Sequence, residues 1–226
     1  YAYNAEKDVF QVVSKEGEDH TIYFKGPYTM SMTAYAPYTG ERGTLAGVIQ
    51  ASTTSEKQVG TARATIDFLY AEGGGSQTNP RVEFQFFHKM SQLVLAFKAG
   101  GGLELDDISY TLKNIILDGS FDTSAGSVAS GKTTGNINMS LAKGKEMNSS
   151  VIVFPQKLAS TLLLELAMGG KTYAQPIGNG IDLISGNTYI FDVTIAPQSM
   201  TVSPAKIEDW IWGENSDHYV IAGESE

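Results

Sequence analysis

The most apolar stretch of the chain, VEFQFFHKMSQLVLAF, extends from Val82 to Phe97 and alternates with a period of two. Alternate residues from Val82 to Met90 share one phase, and alternate residues from Leu93 to Phe97 share the opposite phase. Successive side chains of a β-strand point to opposite faces, so the pattern predicts half-buried strand structure. The change of phase between Phe87 and Leu93 predicts either one long strand with a β-bulge or two short strands, with Lys89, Ser91 and Gln92 near the break.

His88 falls in the inward phase of the first half of this stretch. Buried polar groups in proteins are almost always hydrogen-bonded, and a single histidine on an apolar strand face is typically part of a packed core or hairpin. The pattern therefore predicts a structural His88 rather than a catalytic or metal-binding one.

Other segments of strand length are separated by glycine, proline and other turn residues. They are residues 8–14, 21–24, 28–38, 47–52, 65–71, 107–119, 136–142, 149–156, 161–178, 187–203 and 206–212. Helix propensity alone would also allow a helix in TLLLELAMGG, but Gly169-Gly170 favours a hairpin between two strands. The small-residue segment 120–136 is predicted to be a loop.

These segments predict an all-β protein. Roughly twelve to fourteen strands are too many for one seven-stranded sandwich, so two β-sandwiches in series are expected. The boundary between them lies either in the loop EGGGSQTNP, residues 72–80, or in AGGG, residues 99–102. The strand count favours the second position, which gives an N-terminal domain of residues 1–101 and a C-terminal domain of residues 102–226.

Composition narrows the classes of function. The 226 residues are 42% hydrophobic and carry a net charge of −9. No basic stripe is visible, which argues against nucleic acid and anionic membrane surfaces as partners. The absence of cysteine excludes disulfides, thiolate metal sites and cysteine nucleophiles.

The ends of the sequence suggest processing. No apolar run approaches the roughly 18 residues that span a bilayer, and no signal peptide opens the chain. Because Tyr1 is not an initiator methionine, the sequence is interpreted as beginning inside a longer precursor or after a removed segment.

GSVASGKT, residues 126–133, matches the phosphate-binding pattern G-x-x-x-x-G-K-[ST] in full. That loop requires a strand before it and a helix after it, because the helix N-terminus holds the phosphate. The flanking residues SFDTSA and TGNINMS predict neither, so a glycine- and serine-rich loop without nucleotide is expected.

Residues 118–124 also imitate a calcium loop, since Asp118, Ser120, Asp122 and Ser124 have the spacing of ligands 1, 3, 5 and 7. Thr123 replaces the glycine at position 6, and Ala129 replaces the glutamate at position 12. The pattern therefore favours a solvated hairpin end over a metal site.

Other polar groups form no catalytic constellation. His20, His88 and His218 lack metal-ligand spacing, and no G-x-S-x-G elbow is present. The acidic pairs at residues 16–19 and 106–107 are predicted to be turns. The sequence thus predicts no catalytic, cofactor-binding or metal-binding residue and no enzyme. Trp210 and Trp212 share one strand face and are either a sugar platform or buried aromatics, of which the second is commoner.

Several segments together resemble the fimbrillins of Bacteroidetes bacteria, the Mfa-like type V pilin subunits. The matching pieces are YTMSMTAYAPY, TIDFLYA, VEFQFFHKMSQLVLAF, VIVFPQ and GNTYIFDVTIAPQSMTVSPAKIEDWIWG, in the order of the family pattern. The most distinctive are IEDW after a long alternating strand and F-x-H-x-M at Phe86, His88 and Met90.

The resemblance implies two transthyretin-like β-sandwiches, export as a lipoprotein and location in an outer-membrane-associated fimbria at the cell surface. It also implies proteolytic removal of an N-terminal strand and polymerisation by insertion of a neighbour's strand. Other pilin subunits are the implied partners, with surface glycans or proteins as further candidates. Neither the lipid-bearing cysteine nor the removed strand is present in this sequence.

Three functions follow for testing. The first is a shaft, tip or anchor subunit of a fimbria that supports adhesion. The second is a cell-surface glycan-binding module outside any polymer, with Tyr35, Tyr38, Trp210 or Trp212 as contact residues. The third, a hydrolase on a β-scaffold, lacks a supporting constellation.

Overall fold

The computed structural model describes residues 2–4, 6–7, 9–11, 23–38, 47–144, 147–160, 162–178 and 180–211. These residues form seventeen β-strands and two short 3-10 helices, at Ser55–Lys57 and Gly60–Thr65. The strands are β1 (Ala2–Asn4), β2 (Val9–Gln11), β3 (Met30–Ala36), β4 (Val48–Ser52), β5 (Leu69–Gly75), β6 (Phe87–His88), β7 (Ser91–Ala99), β8 (Ile108–Ile116), β9 (Asp118–Asp122), β10 (Ser127–Ser130), β11 (Thr134–Leu141), β12 (Met147–Val153), β13 (Leu163–Met168), β14 (Lys171–Pro176), β15 (Asn187–Ala196), β16 (Ser199–Val202) and β17 (Lys206–Asp209). The predicted all-β class is confirmed. Over these ranges, no helix has the length and apolar character needed to cross a membrane.

Two packed sheets form the larger part of the fold, called here the large sandwich. One has the strand order β12-β7-β15-β16, with β17 also paired to β15, and the other has the order β11-β8-β13-β14. Buried and more exposed residues alternate along β8, β11, β13 and β15. The inward-facing side chains, among them Leu95, Leu112, Leu166 and Phe191, meet in one core, as expected for facing sheets.

β7 departs from this alternation because it is buried on both faces. Leu93 and Leu95 point into the core of the large sandwich, but Val94 on the opposite face is also fully buried. β7 lies between β12 and β15 and runs parallel to β15. Central strands covered on both faces have continuous apolar runs, which explains why β7 lies in the most apolar stretch of the sequence.

Two three-stranded sheets, β3-β5-β6 and β10-β9-β4, form a second and smaller packing unit, called here the small sandwich. Its buried core consists of Ile66, Phe68, Tyr70, Met90, Phe121, Ile152, Phe154 and Trp210. The Phe68 and Phe121 rings stack with their centroids 4.8 Å apart. The Tyr70 hydroxyl donates a hydrogen bond to the Ser124 carbonyl, which joins the two sheets.

The two cores do not correspond to consecutive halves of the chain. β7 lies before the predicted boundary at residues 101–102, yet it pairs with β12 and β15, which lie beyond that boundary. Conversely, β9 lies beyond the boundary and pairs with β4. The division into domains 1–101 and 102–226 stays a prediction, and the strand pairing crosses it in both directions.

The predicted loop over residues 120–136 is wrong for much of its length. β9 and β10 form a hairpin, in which the N–H of Gly126 donates to the Asp122 carbonyl. Gly126 has a φ of +62°, a conformation that favours glycine. The segment contains too few apolar residues for the sequence to predict a strand. The pairing of β9 with β4 overrides this weak local preference. The predicted hairpin at Gly169-Gly170 is confirmed between β13 and β14.

Of the two alternatives predicted for VEFQFFHKMSQLVLAF, the structure has two separate strands, β6 and β7, although residues 82–86 form no strand. Residues 82–84 instead cross the face of β5, which continues into the predicted loop as far as Gly75. A Cβ at Gly73 would lie 2.8 Å from both the Glu83 carbonyl oxygen and a Val82 methyl carbon. Glycine in β5 therefore permits this close approach.

Candidate functional site

The outer strands of the small sandwich are incompletely covered. β3 pairs with β5, and β4 pairs with β9; among the described strands, neither has a neighbour on its other side. Tyr35, Ile49 and Ala51 pack against the small core but remain partly exposed. An outer strand presents N–H and C=O groups without a strand partner and can accept another strand. These strands form the candidate site of the protein.

Exposed apolar side chains concentrate around the same strands. Within the described ranges, the exposed large apolar residues up to the start of β7 are Tyr23, Tyr28, Met30, Tyr38, Val48 and Phe87. From β7 onward, the corresponding residues are Ile184, Ile207 and Ile211. Clustered exposed apolar side chains typically mark an interaction surface.

A polar cluster joins the small sandwich to the end of β17. His88 Nδ1 lies 2.7 Å from Asp67 Oδ1. The imidazole stacks on the Trp210 ring with centroids 3.9 Å apart and an interplanar angle of 4°. The backbone N–H of Trp210 donates to the Gly186 carbonyl. The cluster thus connects β6 to the residues that immediately follow β17.

The predicted packed and hydrogen-bonded position of His88 is confirmed, because the residue is 5% exposed and contacts the Asp67 carboxylate. The alternation in the sequence was sufficient to place His88 inside. It did not identify Asp67, which lies 21 residues earlier in the chain. Asp67 follows a 3-10 helix and belongs to no periodic pattern, so only the tertiary fold reveals this pair.

Trp210 is buried, with 6% of its surface exposed, and is part of the small core. It is therefore unsuited to serve as an exposed sugar platform. Trp212 lies outside the described residues. Of the two tyrosines considered with them, Tyr38 is exposed and Tyr35 is partly buried, with ring centroids 6.3 Å apart.

The phosphate-loop pattern GSVASGKT occupies β10 and the turn that follows it, and the next element is the strand β11. The N–H groups of Gly131 and Thr133 donate to Asp118, the first to its carbonyl and the second to its carboxylate. These backbone donors are already engaged by an acidic residue, and no helix N-terminus follows to attract phosphate.

The calcium-like spacing also falls on strand and turn. Asp118, Ser120 and Asp122 lie on β9, not in a loop that could wrap around an ion. Asp122 Oδ1 accepts hydrogen bonds from the Ser124 hydroxyl and from the N–H groups of Ser124 and Ala125. The Ser124 hydroxyl bond, with the two N–H bonds, holds the pKa of Asp122 below its ordinary value. Asp122 therefore stabilises the β9–β10 turn.

The remaining polar candidates do not assemble. Asp107 accepts a hydrogen bond from the N–H of Lys143, and Asp106 accepts one from the N–H of Asp107, as expected of turn residues. His20, His218 and the acidic residues 16–19 lie outside the described residues. Within the described ranges, no group of three or more His, Asp or Glu residues could hold a metal ion.

Comparison with known proteins identifies the family of this chain. The sequence profile of the fimbrillin-like family matches residues 3–210. The chain belongs to the fimbrillin-like family. The match extends from the first strand to Trp210 and thus includes both sandwiches, and it confirms the resemblance inferred from the sequence segments.

Individual fimbrillin relatives cover most of the chain. Fim1C of Bacteroides uniformis, a proposed fimbrium subunit, is 26% identical over 209 residues, which make up 87% of this chain and 67% of the relative. The solved structure of a proposed cell adhesion protein from Bacteroides ovatus is 35% identical, with a TM-score of 0.78 over 90% of this chain and 76% of that chain. A second, from Bacteroides uniformis, shares the fold at 24% identity, with a TM-score of 0.66 over 80% of this chain and 72% of that chain.

The fimbrillin family consists of structural subunits of cell-surface fimbriae rather than enzymes. The prediction that the chain is not an enzyme is therefore confirmed by its family. The more detailed prediction, that no residue binds a cofactor or metal, stays a prediction.

Proposed function

We propose that the chain is a subunit of a bacterial fimbria that assembles when a neighbouring subunit inserts a strand beside the outer strands of the small sandwich. The observation that carries the proposal is the partial exposure of core-directed side chains on β3 and β4, among them Tyr35, Ile49 and Ala51. Membership of the fimbrillin-like family supports the fimbrial setting.

Strand insertion would meet two requirements of these outer strands. An added strand pairs with free N–H and C=O groups at the edge. Its inward side chains would cover the partly exposed apolar residues, at about 25 cal/mol for each Å² of apolar surface removed from water. Both contributions would make dissociation slow, as a mechanically durable filament requires.

Further steps of assembly belong to the same proposal. Export as a lipoprotein would place the precursor at the outer membrane, and proteolytic removal of an N-terminal strand would then open the small sandwich. The donor strand would come from the C-terminal tail, in which HYVIA, residues 218–222, has strand alternation; this tail lies outside the described residues. The assembled fimbria would support adhesion through proteins or glycans of another surface.

The test compares a longer precursor with a form that begins at Tyr1. We expect polymer, measured by size-exclusion chromatography and negative-stain microscopy, and capture of a synthetic peptide of residues 213–226 in the shorter form alone. Equal monomer content and equal peptide capture in both forms would contradict strand insertion.

A matched pair of substitutions locates the insertion site. Ile49→Thr alters a partly buried residue of β4, whereas Ile207→Thr makes the same change at an exposed position of β17. We expect Ile49→Thr to weaken peptide capture and Ile207→Thr to leave it unchanged. Equal capture by both variants would show that β4 does not line the insertion site.

A further inference from the structure

The segment Thr53–Thr65 lies along one side of the large sandwich, where each sheet ends in an outer strand. β12 is the outermost strand of one sheet, and β11 is the outermost strand of the other. The segment carries both 3-10 helices, and between them Val59 packs against the large core. A stretch of chain without strand structure therefore covers the gap between two sheet edges.

Gln58 makes the hydrogen bonds to β12 that a neighbouring strand would make. The N–H of Ile152 donates to Gln58 Oε1 at 2.8 Å, and Gln58 Nε2 donates to the Ile152 carbonyl at 2.9 Å. Gln58 Nε2 also donates to the carbonyl of Thr53, which fixes the orientation of the amide. Gln58 is completely buried. One side-chain amide thus replaces the peptide group of an adjacent strand at Ile152.

Arg63 continues this coverage two residues along the same edge. Its Nη1 donates to the Ser150 carbonyl at 2.8 Å, and its Nη2 donates to the Ser150 hydroxyl at 2.9 Å. Residues two apart on a strand direct their backbone groups to the same side, so Ser150 and Ile152 present adjacent sites on the β12 edge. Arg63 is buried as well, and burial of a charge is costly unless hydrogen bonds compensate for it.

The same segment also reaches the edge of the facing sheet. The backbone N–H of Asn138 in β11 donates to the Ser55 hydroxyl at 2.9 Å. Ser55, Gln58 and Arg63 therefore satisfy backbone groups of two different sheets from the single segment Thr53–Thr65. Without such cover, the edge of a sheet is a ready template for pairing with another chain.

We propose that Thr53–Thr65 is a surrogate edge strand that closes the β11–β12 side of the large sandwich against pairing with a second copy of this chain. Its side chains occupy the N–H and C=O of Ile152 and the C=O of Ser150, through which β12 would otherwise bind a strand. Intermolecular strand pairing is thereby excluded from this side of the large sandwich. This device is separate from strand insertion at the small sandwich and does not depend on it.

The test removes the amide of Gln58 while preserving its bulk. In the full chain, Gln58→Met should accelerate hydrogen exchange at the Ile152 amide about tenfold, the effect of losing one hydrogen bond. The Val151 amide, directed towards β7, should change little. Sedimentation velocity should then detect a dimer that the wild type lacks at equal concentration, and dimerisation should protect the Ile152 amide again.

Two further variants complete the design. Gln198→Met makes the same change at an exposed position in the turn between β15 and β16 and should alter neither exchange at Ile152 nor association. Ser55→Ala is milder and should accelerate exchange at Asn138 alone, which keeps the test decisive if Gln58→Met fails to fold. Unchanged exchange at Ile152 in Gln58→Met and at Asn138 in Ser55→Ala would overturn the proposal, as would faster exchange at Ile152 in Gln58→Met without any association.

Discussion

The large and small sandwiches are both made of short, mostly antiparallel strands, but their cores differ in size and in coverage. In the large sandwich, sheets of four and five strands enclose 26 buried residues, against which seven partly buried apolar residues pack. In the small sandwich, sheets of three strands enclose eight buried residues, and Tyr35, Ile49, Ala51 and Val128 are only partly covered.

The two units also differ in how side chains cover their outer strands. The β11–β12 side of the large sandwich is sealed by Ser55, Gln58 and Arg63. The described residues provide no comparable side-chain seal along β3 and β4 of the small sandwich. The protein therefore combines one unit that is sealed along its β11–β12 side with one whose outer strands β3 and β4 have no second strand neighbour among the described residues, as the proposed strand insertion requires.

The core of the large sandwich should be the most sensitive to truncation. Leu95→Ala removes a buried side chain of β7 and should lower the free energy of unfolding by about 2–5 kcal/mol. The small core also contains residues that lie on or directly after strands of the large sandwich, namely Ile152 and Phe154 at the end of β12 and Trp210 after β17. Circular dichroism and tryptophan fluorescence should therefore report one common transition in urea. Two separate transitions would mean that the sandwiches unfold independently.

Substitution of His88, in the polar cluster that joins the two units, should have the second-largest effect on the free energy of unfolding. His88→Asn loses the stacking on Trp210 and disturbs the hydrogen bond to Asp67, which should cost about 1–3 kcal/mol. Urea unfolding measures this loss, and Lys89→Ala, at the next position, serves as the control. An unchanged midpoint for His88→Asn would remove the structural role assigned to this histidine.

Local patterns in the sequence were sufficient for the strands of the large sandwich. Strand length and flanking turn residues located β8, β11 and β13, and alternation located β15, because one face of each is buried in a single core. The inward position of His88 followed from the same reasoning. These features depend on a residue and its near neighbours, which a single sequence displays.

The parts that the sequence did not predict depend on distant partners. β9 and β10 consist largely of small and polar residues; β9 becomes a strand through pairing with β4, and β10 through pairing with β9. Gln58 binds Ile152, which lies 94 residues further along the chain, and neither position belongs to a recognisable motif. The candidate site has the same origin, since incomplete coverage of β3 and β4 is a property of their neighbours rather than of their own sequences.

Truncation in the small sandwich should have a smaller effect on the isolated chain than truncation in the large one. Ile49→Ala removes a side chain that is already partly exposed, so we expect a loss of about 1–2 kcal/mol in the monomer. After strand insertion, the same residue would be more fully buried. The loss measured on the complex with the peptide of residues 213–226 should therefore exceed the loss in the monomer. Equal losses would mean that Ile49 does not contact the inserted strand.

Removal of the ion pair on the outer face of the large sandwich should have the smallest effect on the free energy of unfolding. The dependence of that effect on pH distinguishes it from other contributions. Asp192 Oδ1 on β15 accepts a hydrogen bond from Lys98 Nζ on β7 at 2.7 Å, and this bond holds the pKa of Asp192 below its ordinary value. A carboxyl group whose pKa is lower in the folded state than in the unfolded state stabilises the fold at pH values above the unfolded pKa of about 3.9. This stabilisation disappears as the pH falls through the folded pKa. Asp192→Asn should thus cost about 0.2–1 kcal/mol at pH 7, in the range of exposed ion pairs.

The difference between wild type and Asp192→Asn, followed by urea unfolding from pH 7 to pH 3, should therefore shrink steadily below about pH 4. Glu104→Gln removes the same charge from an exposed position outside the strands and controls for the change in net charge. A difference that stays constant with pH, or that Glu104→Gln reproduces, would show that the pair adds nothing specific to the parallel contact of β7 with β15. That contact joins the two parts of the chain within one sheet, so a pH-dependent loss at Asp192 would place part of the stability of the large sandwich at the strand pair that crosses the predicted domain boundary.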